Sequence, residues 1–215
     1  MDVKTSILFL VLGWLLGILG HAIQERNRLR HVTLRIISAI SSELSELREE
    51  CASLTVVVET KAGRLTKDLL TWQRRWRSDR PLPPPLDQLI EVTQRLERVD
   101  DIEFQQLALR LKVPDGRGIN LRDLALPYTE TKIADLELFS EAGRRRVLEI
   151  LSRIRIFNQQ LEESRFFFKL TFDASISAAN HASASAQIQA SYGAASQQSR
   201  LIVELVTLAL KELEQ

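Results

Sequence analysis

The chain has 215 residues, with 29 Lys and Arg against 28 Asp and Glu and a formal net charge of +1. Balanced charge excludes a bulk attraction to nucleic acid, so an electrostatic partner would need a local patch. The single cysteine, Cys51, cannot form an internal disulfide, and the length is sufficient to bury a core without one. Helix-forming residues dominate and alternating β-branched runs are nearly absent, which predicts an all-α fold.

The N-terminal segment predicts a transmembrane helix. An unbroken apolar run covers residues 7–20 and lies within a charge-free window of 20 residues, 5–24. At about 1.5 Å per residue this window spans roughly 30 Å, the thickness of the bilayer hydrocarbon. We therefore predict a single-pass anchor at residues 1–24. Gly13 and Gly17 form a Gly-x-x-x-Gly pair, which predicts a helix–helix contact in the membrane.

The charges beside this segment predict its orientation. Lys4 precedes it, whereas Arg26, Arg28 and Arg30 follow it, and positive charge stays on the cytoplasmic side. The short N-terminus is therefore expected outside and the C-terminal domain in the cytoplasm. The three arginines are candidate membrane-interface residues, since they can contact anionic headgroups. The alternative is a signal peptide, cleaved near residues 20–22 to give a secreted protein, although arginines behind the cleavage site resist translocation.

Residues 25–80 predict a long amphipathic stem helix that continues from the anchor. Its apolar positions recur every three or four residues through three heptads and then shift phase, with Gly63 as a position for a kink. We favour packing of this stripe on helices of the same chain; the alternative is a coiled coil with a second copy. The stripe comprises Ile37, Ile40, Leu44, Leu47, Cys51, Leu54 and Val58, followed by Ala62, Leu65, Leu69, Trp72 and Trp76.

The end of the stem is rich in arginine and tryptophan. Interleaved basic and aromatic residues can bind nucleic acid or a membrane interface. We favour a structural interpretation, because the two indoles continue the apolar stripe and arginines near a helix C-terminus favour the helix dipole. The residues of this possible basic-aromatic surface are Trp72, Arg74, Arg75, Trp76 and Arg77.

A proline-rich connector at 81–85 separates the stem from a predicted helical bundle domain at 86–215, which packs with the stem. Helices are predicted at 86–99 and 101–112, with Asp100 or Asp101 as N-cap of the second. A turn is expected at 113–118, followed by a short helix at 120–126 and a further helical stretch at 128–139.

Two long helices are predicted in the rest of the bundle. The first begins at the N-cap Ser140 and, from the breadth of its apolar stripe, is a central core helix. The second follows a loop in the segment 174–199, which holds 9 Ala and 7 Ser. The first stripe contains Val147, Leu151, Ile154, Phe157, Leu161, Phe168 and Phe172, widened by Leu148, Ile150, Ile156, Phe166 and Phe167. The last apolar face contains Leu201, Ile202, Leu205, Leu208, Ala209 and Leu213.

No catalytic or cofactor motif occurs in the sequence. His21, His31 and His181 are scattered, without the spacing of metal ligands, and Cys51 lies on the apolar stripe. We therefore expect no cofactor, and a non-enzymatic scaffold that binds a protein partner or assembles with itself at the cytoplasmic face of a membrane. The alternatives are binding of nucleic acid or anionic lipid through the arginines, which salt-dependent binding assays would reveal, and an enzyme with a dispersed site.

Overall fold

We describe a computed structural model of the chain. The structure describes residues 3–76, 95–96, 98–112, 119–173, 175 and 177–213, without the side chains of 3–13, 15–19 and 22. Over these residues the fold is all-α, as predicted, and contains no strand. Its elements, in chain order, are α1 (Val3–Lys61), α2 (Lys67–Arg74), α3 (Asp101–Leu111), α4 (Pro127–Thr131), a 3₁₀ helix (Ile133–Leu138), α5 (Glu141–Leu170) and α6 (Ala178–Leu213).

Helix α1 packs along α6, which in turn packs along α5. The predicted stripe on α1 is buried by the chain's own helices from Ile40 to Val58, whereas Ile37 at its start is half-buried. Ile40, Leu44, Cys51 and Val58 are inaccessible to solvent. Intramolecular packing of the stripe is therefore confirmed, and the same face is not available for a coiled coil. The two helices are antiparallel, because Glu59 near the end of α1 meets Ser196 in the middle of α6. Residues 38–48, earlier on α1, lie beside Thr207 and Lys211 near the end of α6.

Helix α1 ends earlier than the predicted stem. Gly63 adopts a positive φ of 73°, and the Arg64 N–H donates to the Glu59 carbonyl at 2.8 Å while the Gly63 N–H donates to the Thr60 carbonyl at 3.0 Å. This pair of bonds is a Schellman motif, in which glycine accepts the left-handed conformation that stops a helix. A continuous helix through residue 76 is thus wrong. The chain turns and starts α2, where the Thr66 hydroxyl accepts from the Leu69 N–H.

Helices α2 and α3 cover the end of α1 and form a second, smaller core. Its members are Val56, Leu65, Leu69, Leu70, Leu96, Phe104 and Ala108. Asp100 caps α3, as predicted, by accepting hydrogen bonds from the N–H groups of Ile102 and Glu103. Most of the predicted helix at 86–99, the connector at 81–85 and the turn at 113–118 lie outside the described residues.

Helices α5 and α6 form the core pair and are antiparallel, since Arg146 near the start of α5 lies 3.8 Å from Glu212 near the end of α6. Ser140 caps α5 through a 3.1 Å bond from the Gly143 N–H, as predicted. Both apolar stripes were predicted too broadly, however, because neither helix is covered all around by neighbours. Phe172, beyond the C-terminus of α5, is 74% exposed. The other residues that were assigned to the core but are exposed are Leu148, Phe166, Leu201 and Leu208.

The predicted short helix at 120–126 is also wrong, since this segment has no helical structure. Side chains of α5 and α6 hold its backbone instead. Asn158 accepts from the Leu124 N–H at 2.9 Å and donates to the Leu124 carbonyl at 2.8 Å. The Tyr192 hydroxyl does the same for Ile119, with distances of 2.6 and 3.2 Å. These long-range bonds replace the intrahelical bonds that the prediction assumed.

Helix α4 begins at Pro127 and is capped by a distant residue. The Glu43 carboxylate on α1 accepts from the N–H groups of Tyr128 and Thr129, both at 2.8 Å, and from the Thr129 hydroxyl at 2.6 Å. A carboxylate at a helix N-terminus satisfies N–H groups that have no partner within the helix and is favoured by the helix dipole. Glu43 therefore ties the 119–131 region to α1.

Candidate interaction surface

The N-terminal half of α1 projects beyond the bundle. Ile36 is the first buried residue among those whose side chains the structure describes. We call residues 23–35 the projecting segment; at about 1.5 Å per residue it is roughly 20 Å long. Its aliphatic side chains are largely exposed, with Ile23 and Leu29 at 59%, Val32 at 46% and Leu34 at 62%. Single exposed aliphatic residues are common, but four on one unaccompanied helix form a candidate contact surface.

These four residues occupy two sides of the helix. Ile23 and Leu34 are eleven residues apart, close to three full turns, so they share one side. Leu29 and Val32 are three residues apart and share another side. No described element of the bundle covers either side, since all four side chains are exposed. The projecting segment can therefore contact more than one neighbour.

The predicted membrane-interface residues Arg26, Arg28 and Arg30 also lie on the projecting segment, and all three are exposed. Arg28 lies 3.8 Å from Glu25, and both side chains are well exposed. Such a surface pair contributes little, about 0–1 kcal/mol. The structure thus brings the arginines and the exposed aliphatic residues together on one segment, although it shows no contact to a lipid.

Among the residues that the structure describes in full, none of the helices is apolar over a length sufficient to cross a bilayer. The predicted contact residues Gly13 and Gly17 fall where side-chain surroundings are not described. The anchor and the glycine contact therefore stay predictions.

The predicted basic-aromatic surface is only partly assembled. Trp72 and Trp76 are half-buried and pack against the main core. The guanidinium carbon of Arg200 lies 5.8 Å from the Trp72 ring centroid, and that of Arg48 lies 5.0 Å from the Trp76 ring centroid. Arg74 and Arg75 are exposed, whereas Arg77 lies outside the described residues. Both indoles thus contact arginines of the bundle itself.

A buried polar cluster at the end of α1 has a structural role. The Arg64 Nε donates to Glu59 at 2.8 Å, and the Ser196 hydroxyl donates to the same carboxylate at 2.6 Å. Burial alone would raise the pKa of Glu59, but the hydrogen bonds from Arg64 and Ser196 and the charges of Arg64 and Arg200 outweigh it, so the pKa is lowered. The cluster joins α1, the turn after it and α6. Sequence patterns gave no sign of it, since the two ends are 137 residues apart.

The described residues offer little for catalysis. They contain no group of three or more His, Cys, Asp or Glu side chains arranged to hold a metal ion. Cys51 is fully buried, and burial, with a contribution from the charge of Glu50, raises the pKa of its thiol well above the ordinary value. A protonated, inaccessible thiol is not a nucleophile, which agrees with its predicted role as a small core residue.

No protein family, curated protein or solved structure matches this chain.

Proposed function

We propose that this protein is a membrane-anchored, non-enzymatic helical scaffold that assembles with itself or binds a protein partner at the cytoplasmic face of a membrane. The observation that carries the proposal is the projecting segment. It is part of one helix, Val3–Lys61, that joins the apolar N-terminal sequence to the bundle. Its aliphatic side chains are exposed although the bundle buries similar residues one turn later.

Exposed aliphatic residues on a projecting helix favour association. Fully burying a Leu or Ile side chain contributes about 1.5–3 kcal/mol, so pairing two projecting segments would remove several such groups from water. Anchoring would raise the effective concentration of the segments in one plane and thus lower the entropic cost of association. The arginines Arg26, Arg28 and Arg30 would then lie at the headgroup level, where each contributes about 1 kcal/mol with anionic lipid.

Cysteine crosslinking in membranes tests this proposal. The only natural cysteine, Cys51, is replaced by Ala, and Leu34→Cys or Leu29→Cys is added on the projecting segment. Ser152→Cys, an exposed position on α5, is the matched control. We expect a disulfide-linked dimer at position 34 or 29 and none at 152. Retention of the chain in the membrane pellet after alkaline carbonate extraction tests the anchor separately.

Two outcomes would contradict the proposal. Release of the chain by carbonate would exclude the anchor. A chain that stays in the membrane but shows no dimer at either position, and no crosslink to another protein, would exclude association through the projecting segment.

A further inference from the structure

A polar cleft lies between α1 and α6, in the part of α1 that directly follows the projecting segment. Four serines spaced at i, i+3, i+4 and i+7 put their side chains on one face of α1, and this face forms one wall. Thr207 and Lys211 of α6 line the other wall, and the cleft has a volume of about 470 Å³. The four serines are Ser38, Ser41, Ser42 and Ser45.

An arginine that lines the cleft carries a hydrogen-bond donor without an acceptor. Arg48 lines it, and the Nε of this arginine is buried without a hydrogen-bond partner. The Arg48 guanidinium packs over Trp76, whose indole Nε1 is likewise buried and without a partner. Buried donors are almost always satisfied in folded proteins, so the unpartnered Nε of Arg48, which lines the cleft, points to an acceptor near this arginine.

The charge of the cleft specifies the kind of acceptor. Arg48 and Lys211 are basic, and no carboxylate is among the lining residues. Glu212, next to Lys211, does not line the cleft: its Oε1 lies 3.8 Å from the Arg146 Nε of α5, and its Oε2 is buried without a hydrogen-bond partner. Burial lowers the pKa of the Arg48 guanidinium, and the charge of Glu49 acts in the opposite direction.

We propose that this cleft binds a phosphate-type oxyanion, such as inorganic phosphate or the phosphate of a monoester. The Arg48 guanidinium and the Lys211 ammonium would supply charge, and the hydroxyls of Ser38, Ser41 and Ser42 would donate to the remaining oxygens. The Ser45 hydroxyl already donates to the Ser41 carbonyl at 2.8 Å. Arginine suits this role because its planar fork matches the oxygens of phosphate. The phosphate can belong to a small soluble compound or to a lipid headgroup, since the chemistry recognised is the same.

Ligand-induced stabilisation of the full chain in neutral detergent tests the site. Unfolding temperature is measured against increasing inorganic phosphate, with chloride at matched ionic strength, and against short-chain phosphatidic acid. We expect a saturable rise with phosphate, because a ligand that binds only the folded state stabilises it by mass action. Calorimetric titration then gives Kd. A response to phosphatidic acid alone would assign the ligand to a lipid, and a response to phosphate alone would assign it to a soluble compound. If both respond, the ligand with the lower Kd decides.

Three variants make the test specific. Arg48→Gln and Lys211→Gln should each weaken Kd by about tenfold, since each removes a charge-assisted bond. Arg145→Gln, an exposed arginine on α5, should leave Kd within about twofold. Lys211 is exposed, so its replacement tests the site even if Arg48→Gln impairs folding. The proposal would be overturned by any of three results. These are an unsaturable rise in unfolding temperature that is equal in all variants, the same rise with chloride, or no change with either ligand.

Discussion

Two parts of helix α1 both carry aliphatic side chains but have opposite surroundings. Between Ile40 and Val58 the apolar residues on one face are buried against α6, whereas between Ile23 and Leu34 the aliphatic residues are exposed. The polar residues differ in the same way, since Glu43 and Glu59 are held by several bonds while Glu25 makes one long pair with Arg28. Burial on this helix thus depends on where its neighbours end, and the part without neighbours is the part for which we propose association.

The same substitution at two positions of α1 gives the largest predicted contrast. Leu44→Ala removes a fully buried side chain and should lower the free energy of unfolding by about 3 kcal/mol, through lost transfer energy and a cavity. Leu34→Ala, at a 62% exposed position, should change it by no more than about 0.5 kcal/mol. Urea denaturation of the full chain in neutral detergent, followed by tryptophan fluorescence, measures both. Equal losses would mean that the projecting segment is packed against the bundle.

The acidic residues of α1 provide a second, smaller contrast. Glu43→Ala leaves two backbone N–H groups and one hydroxyl at the start of α4 without their acceptor, which should cost about 1–3 kcal/mol. Glu25→Ala removes only the exposed pair with Arg28 and should cost less than about 0.5 kcal/mol. The same denaturation assay applies, and hydrogen exchange at Tyr128 and Thr129 should speed up only in Glu43→Ala. Unchanged exchange there would show that Glu43 is not the cap.

The sequence was most informative where the structure depends on neighbouring residues in the chain. The spacing of three and four residues predicted the buried face from Ile40 to Val58, and local hydrogen bonds at Ser140 and Asp100 made the caps predictable. Gly63 was predicted only as a position for a kink, and the helix ends there, because the left-handed backbone of this glycine needs no distant partner. The spacing of apolar residues does not predict that the chain then reverses into α2, because the reversal depends on packing between helices.

Features that depend on distant residues were missed. Asn158 and Tyr192 replace the backbone partners of the 119–126 segment, yet in the sequence they are ordinary polar residues of two helices. The exposure of Phe172 was missed because periodicity predicts a face but not where the covering helix ends. The donors around Arg48 were hidden for the same reason, since arginine on a helix is usually solvated.

The smallest predicted effect concerns pH and the carboxylate of Glu59. Because the pKa of Glu59 is lower in the folded than in the unfolded chain, its charged form stabilises the fold at pH values above the unfolded pKa of about 4.3. This contribution is lost as pH falls through the lower, folded-state pKa. At neutral pH it should be about 1 kcal/mol or less, since the Arg64 side chain is 55% exposed and solvent screens the pair.

The variant Glu59→Gln isolates this contribution, because glutamine keeps the shape of the side chain but has no charge to lose. The wild-type chain should be the more stable at pH 7, and the difference in unfolding temperature should narrow as pH falls below about 4.3. Glu25→Gln on the projecting segment should show no such pH-dependent difference, since its single pair is exposed. If the difference in unfolding temperature between the wild-type chain and Glu59→Gln did not change with pH, the hydrogen bonds of Arg64 and Ser196 would not require a charged acceptor. If the difference in unfolding temperature instead widened towards low pH, the pKa of Glu59 would be higher in the folded than in the unfolded chain. The charged carboxylate would then destabilise the packing of α1 on α6 at neutral pH.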